Sequence, residues 1–246
     1  MKINSGIRAA AREELRNNWT SPVLATLILF VISGIAQGLS NTTFYDYSTG
    51  SFTLPPMFWT RTSVGFLLEI LVILPLSFGF SIAFLRFIRG EKDEVIDNMF
   101  GEFKNYSRAL VVSLLTAVFT FLWALLFIIP GIIKAYSYAM TYFIAKDHPE
   151  LDANGCIEES MKMMQGHKMD LFLLDLSFIG WGFLCLFTCG IGFLWLVPYI
   201  QTSHAIFYKE LKAELYSEEV EEETASYTEE TPNAKAGEDF TAEFEN

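Results

Sequence analysis

The stretch that decides the fold is Leu122-Trp123-Ala124-Leu125-Leu126-Phe127-Ile128-Ile129-Pro130-Gly131-Ile132-Ile133-Lys134-Ala135-Tyr136. Eight apolar residues run into Pro130-Gly131, and an apolar run resumes straight after it. Pro-Gly punctuates a chain strongly, because proline fixes φ and glycine admits turns closed to other residues. The pattern predicts two apolar helices joined by a tight turn. A helix apolar on all sides must be buried in a large core or in lipid.

Five further segments carry the same signature, making six expected spans at 22–39, 62–88, 107–129, 132–145, 170–187 and 191–208. Crossing a bilayer takes about 20 apolar residues at 1.5 Å rise each. The fourth segment is short and contains Lys134, Ser137 and Thr141; the sixth contains Pro198, Gln201 and His204. A chain of 246 residues is too short to bury six such helices in a soluble core. The expected fold class is therefore all-α: a polytopic membrane helix bundle with six transmembrane helices as three hairpins.

The basic residues sort by side. Arg61 and Lys134 fall on one side of the alternating spans, and the other fifteen of the 17 Lys and Arg fall on the opposite side. Such asymmetry marks the cytoplasmic face, which places both termini in the cytoplasm. Glu13 and Glu14 stand within the long polar stretch before the first apolar segment, so that segment reads as a retained span rather than a cleaved signal.

Each hairpin follows a helical stripe. Ile3, Ile7, Ala11 and Leu15 form the first; Val95, Ile96, Met99, Phe100 and Phe103 the second; Ala153, Cys156, Ile157, Met161 and Met164 the third, with Asp152 placed as its N-cap. These read as amphipathic helices at the cytoplasmic interface, although packing against the spans would use the same stripe. The chain thus reads as one unit used three times: amphipathic helix, span, outer turn, span. The last two units align without gaps at a shift of 63, placing Tyr136 on Tyr199, Phe143 on Ile206, Lys146 on Lys209 and Asp147 on Glu210. Repeats of one orientation are related by an axis along the membrane normal.

The hydrophobic fraction is 52%, yet the formal net charge is −12. The two facts belong to different parts of the chain. Residues 1–213 form the membrane domain and are close to neutral. Residues 214–246 hold 12 Asp and Glu against Lys235 alone, and read as a disordered acidic cytoplasmic tail. Net acidity argues against nucleic acid as a partner. The expected partners are the lipid bilayer and a basic cytoplasmic protein met by the tail, with a homo-oligomer left open.

Ionisable residues inside spans are candidate functional groups. Glu69 and Lys134 lie toward the outer side and Asp175 and His204 in the inner half, so two cross-helix pairs are expected: Glu69 with Lys134 and Asp175 with His204. Cys185 and Cys189 read as core positions. Cysteine and histidine spacing offers no metal site, and no Gly-rich phosphate loop or nucleophile motif is present. No catalytic, cofactor-binding or metal-binding residue is expected, and the chain is not expected to be an enzyme. Its function class is a membrane interaction or accessory protein. The alternative is a transporter, channel or lipid-handling protein using the four intramembrane residues.

Three stretches together carry a family resemblance: Arg8 to Trp19, Leu122 to Tyr136, and Ser160 through Gly166-His167-Lys168 with Leu176 to Trp181 and Pro198-Tyr199. They resemble the domain-of-unknown-function 975 family of bacterial integral membrane proteins, over residues 1 to about 215. The resemblance implies a polytopic protein of the bacterial inner membrane, and it implies no activity or site residue.

Overall fold

The computed structural model describes the backbone of residues 4–40, 44–46, 51–53 and 64–230. Ile3, the rest of the first outer connection with Arg61, and residues 231–246 lie outside the described residues. Helices dominate, in the order α1 (Asn4–Leu15), α2 (Thr20–Ser40), α3 (Val64–Ile88), α4 (Val95–Gly101), α5 (Tyr106–Leu126), α6 (Ile128–Ser137), α7 (Thr141–Asp147), α8 (Ala153–Met163), α9 (Lys168–Phe187) and α10 (Phe193–Glu230). Between α2 and α3 lies a small antiparallel hairpin of β1 (Phe44–Asp46) and β2 (Ser51–Thr53), with Tyr45 opposite Phe52. Four helices are long and apolar enough to cross a membrane: Thr20–Gly38, Val64–Ile88, Val95–Leu126 and Lys168–Phe187. They suggest a multi-pass membrane protein. The outer surface agrees: Leu125, Ile128, Ile129 and Phe187 are among many large apolar side chains left exposed, far more than a soluble monomer tolerates.

The fourth expected span, 132–145, is not one helix. It divides into α6 and α7 at Tyr138–Met140. Ser160 of α8 explains the break, because its hydroxyl donates to the Ser137 carbonyl at 2.9 Å and accepts from the Met140 amide at 3.2 Å. One side chain thus satisfies the backbone groups on both sides of the break. The sixth segment extends past its expected end at 208. Its helix, α10, carries Pro198 inside it and continues to Glu230. The acidic segment expected to be disordered begins at Glu214; the described backbone carries α10 into it as far as Glu230, and strong helix formers abound there.

Pro75 has a visible consequence in α3. Residues Glu69–Ile73 form a wide π-helical turn, and the Leu74 amide donates back to the Glu69 carbonyl. Proline cannot donate to the carbonyl four residues earlier. That carbonyl, on Leu71, instead accepts the Tyr106 hydroxyl at 2.8 Å.

The packing is cyclic. Helices α3, α6–α7 and α10 return toward the basic face, and their inner faces meet around Phe84, Phe87, Ile144, Phe207 and Tyr208, all fully buried. Phe78 meets Tyr142 edge-on and Phe143 stacks on Tyr208. The three amphipathic helices pack on the preceding return helix: α4 on α3, α8 on α7, and α1 on α10. The last contact closes the ring. Outgoing helices follow suit, with α5 beside α3, α9 beside α6, and α2 beside α10. Much of each apolar stripe therefore faces protein: Ile7, Ala11 and Leu15 of α1 are fully buried, as are Val95 and Met99 of α4 and Cys156 of α8, while Phe100 of α4 is exposed. Asp152 caps α8 as its position predicts, accepting the Gly155 amide at 2.8 Å.

The turn expected at Pro130-Gly131 falls instead at Phe127, which is extended at φ −156° and ψ 141°, and Pro130 and Gly131 lie in the first turn of α6. Close approaches hold the helices together beside this turn and the next. A Cβ on Gly131 would stand 2.6 Å from the Ala124 Cα, and one on Gly192 would stand 2.6 Å from the Cys185 sulfur. Cys185 is buried as expected. Cys189 is not a core residue; it is exposed at the turn with φ of 53°.

Candidate functional site

Of the two expected intramembrane pairs, the structure brings one together. His204 Nε2 on α10 lies 2.6 Å from Asp175 Oδ1 on α9. The other carboxylate oxygen accepts the Tyr136 hydroxyl of α6 at 3.1 Å. Asp175 therefore joins three helices from two units. Phe172, one turn before it, meets the Tyr136 ring edge-on at 5.8 Å. Both side chains are partly buried.

The pair expected between Glu69 and Lys134 does not form. Glu69 is exposed on the π-helical turn of α3. Lys134 turns instead to α5 and α8: its ammonium lies 5.0 Å from the Trp123 ring centroid, 6.0 Å from that of Tyr138 and 3.6 Å from the Met161 sulfur. Aromatic faces stabilise a cation through their quadrupoles. A lysine in apolar surroundings can thus be accommodated without a carboxylate, which equal depth along two helices does not reveal.

A second polar assembly ties the helix ends together at the basic face. Asp147, at the end of α7, has a side chain only 7% exposed. Its Oδ2 accepts from Arg89 at 2.8 Å, Lys212 at 2.8 Å and Tyr208 at 3.0 Å. Burial opposes its charge, but these donors prevail and hold the carboxyl at about 2. Nearby, Glu102 is 6% exposed and takes Lys146 at 2.6 Å and Arg86 at 3.1 Å. Arg86 also donates to Asn98, which donates to Glu91. Arg108 at the start of α5 donates to the carbonyls of Ala145, His148, Pro149 and Leu151. It thereby satisfies the open end of α7 and the approach to α8.

In the sequence these arginines and lysines stand out only as markers of sidedness. The available signal was the 63-residue register, which aligns Lys146-Asp147 with Lys209-Glu210. The same register singles out Tyr136, which composition alone reads as a packing aromatic. Among the described residues, no group of three or more His, Cys, Asp or Glu could hold a metal ion.

The family described as "Protein of unknown function (DUF975)" matches residues 1–140 and 125–214. The chain belongs to this family. No curated protein and no solved structure matches it. The DUF975 match covers α1 through α9, α10 as far as residue 214, and both polar assemblies, and ends where the acidic segment begins.

Proposed function

We propose that this DUF975 protein is a multi-pass protein of the bacterial inner membrane, with six spans as three hairpins and both termini in the cytoplasm. In this reading it is a non-enzymatic accessory protein whose acidic segment recruits a basic cytoplasmic partner. The observation that carries the reading is the course of α10. One helix links the buried core at Phe207 and Tyr208 to the acidic stretch as far as Glu230, so the segment is joined to the bundle by helix rather than by a free linker. Aromatic side chains fill the space between the return helices, which favours an anchor over a conduit. The lysine and arginine distribution supports the sidedness, and α1, α4 and α8 lie at the cytoplasmic boundary.

Removing residues 214–246 tests recruitment. In-cell crosslinking of the full chain is expected to capture a basic protein that the shortened chain loses while still reaching the membrane. An unchanged set of crosslinked proteins contradicts recruitment.

The Asp175–His204 pair favours a second reading, a transporter, channel or lipid-handling protein. Proteoliposomes with the intact chain would then pass a solute or lipid that Asp175→Asn blocks; equal flux with and without protein contradicts it.

A further inference from the structure

Two grooves on opposite sides of the third unit are lined by the same positions of the repeat. Ile132, Ile133 and Tyr136 of α6 line a cavity of about 200 Å³ with Lys168, Met169 and Phe172 of α9. Trp195, Leu196 and Tyr199 of α10 line one of about 280 Å³ with Arg12 of α1, Trp19 and Trp181 of α9. The first three residues of each set stand 63 apart, one for one. This is the register that relates the two units, so the two return helices present the same three positions to a groove; the larger groove is closed in addition by Cys185 and Gly192 of its own unit. Both walls are almost wholly apolar. Both tyrosine hydroxyls are engaged elsewhere, Tyr136 on Asp175 and Tyr199 on the Arg8 carbonyl at 3.1 Å.

Each groove also carries one cation, and each cation comes from the following unit: Lys168 in one and Arg12 in the other. Neither has a hydrogen-bond or ion-pair partner among the described residues. An apolar trough with a single unpaired cation complements an amphiphile with one negative charge. On a helix bundle in a bilayer, basic sites between helices hold lipid head groups.

We propose that the two grooves are repeated binding sites for an anionic phospholipid of the bilayer, with an acyl chain along Ile132–Tyr136 or Trp195–Tyr199 and the head-group phosphate at Lys168 or Arg12. Both cations belong to the cytoplasmic set, so the lipid comes from the cytoplasmic leaflet. This rests on the membrane placement proposed above and on neither recruitment nor transport.

The test uses the full chain in nanodiscs of phosphatidylcholine, with brominated phosphatidylglycerol or brominated phosphatidylcholine added in steps. Bromine quenches tryptophan on contact, and Trp19, Trp181 and Trp195 report on the larger groove. The expected result is half-maximal quenching at about five-fold lower mole fraction of the anionic lipid, the advantage of one cation near a membrane surface. Arg12→Gln should abolish that preference while leaving quenching by the brominated phosphatidylcholine unchanged, and Arg12→Lys should restore it. For the smaller groove, Lys168→Gln should lower the number of phosphatidylglycerol molecules retained on detergent extraction and native mass spectrometry. Equal quenching by the two lipids in the unaltered chain overturns the proposal. So does a preference that survives Arg12→Gln, or retained lipid that Lys168→Gln leaves unchanged. A chain that does not enter nanodiscs contradicts the membrane placement itself, and the lipid sites fall with it.

Discussion

The second and third units run through the same 63-residue register, yet their return helices differ. Helix α10 passes the bundle in one piece, whereas its counterpart divides into α6 and α7. The neighbouring helix makes the difference. Ser160 of α8 supplies both a donor and an acceptor to the open backbone at Ser137 and Met140. The matching stretch of α10 keeps its hydroxyls at home: Thr202 donates to the Pro198 carbonyl and Ser203 to that of Tyr199. Shared positions such as Tyr136 and Tyr199 line equivalent grooves, while unshared ones carry individual charges. Lys134 stands where the third unit has Val197, and His204 where the second has Thr141. The comparison teaches that the repeat specifies the framework, and that polar groups are added to single units.

The largest expected effect comes from the two glycines packed beside the hairpin turns. Gly131→Ala drives a Cβ into the backbone of Ala124, which has nowhere to retreat. Overpacking costs about 1–3 kcal/mol, or roughly 2–12 °C in melting temperature for a chain of this size. Gly192→Ala meets the Cys185 side chain first, so its loss should be smaller, and Cys185→Ala should recover part of it. Equal losses that Cys185→Ala leaves unchanged would mean the two turns are built alike. Thermal unfolding in one detergent measures both.

Asp147→Asn comes next. It leaves three donors facing a neutral amide, and since Arg89 and Lys212 still reach solvent, the cost is about 1–3 kcal/mol. The carboxyl is depressed from an ordinary value near 3.8 to about 2. Its stabilisation is therefore complete above pH 4 and fades as pH falls through about 2. The melting difference between the intact protein and Asp147→Asn should narrow over that interval. A gap that stays constant there would show that the charge on Asp147 is not what stabilises the junction.

The smallest effects separate the intramembrane residues. Asp175→Asn and His204→Gln should be non-additive by about 0.5–3 kcal/mol, while Glu69→Gln and Lys134→Met should add to within about 0.5 kcal/mol. Coupling in the second cycle would contradict the separation of Glu69 from Lys134.

Much of this arrangement is legible in the sequence because lipid-facing helices obey a simple rule of apolar length. Pro130-Gly131 signals that a second hairpin exists but misplaces its turn, because proline is tolerated in the first turn of a helix and the reversal falls at Phe127; Asp152 marks the start of α8. The Asp175–His204 pair follows from equal depth on two helices joined by a short turn. Glu69 and Lys134 share a depth too, but they stand on helices whose relative rotation no sequence pattern conveys. The division of α6 from α7 depends on Ser160, a long-range contact that no local propensity contains. The closing contact of α1 on α10 is hidden for the same reason: the amphipathic stripe shows that α1 needs a partner and does not say which one.

Cys189 offers the most direct test of the central claim, that three units of one orientation cross the membrane in a ring. It is exposed at the turn between α9 and α10, and Cys156 and Cys185 can be replaced to leave it alone. Intact cells and inverted membrane vesicles are treated with a membrane-impermeant maleimide, with Glu91→Cys and Glu150→Cys read in parallel in a chain lacking the native cysteines. Cys189 is expected to react only in intact cells, and both introduced cysteines only in inverted vesicles. Reaction of Cys189 from the same side as either introduced cysteine would contradict it.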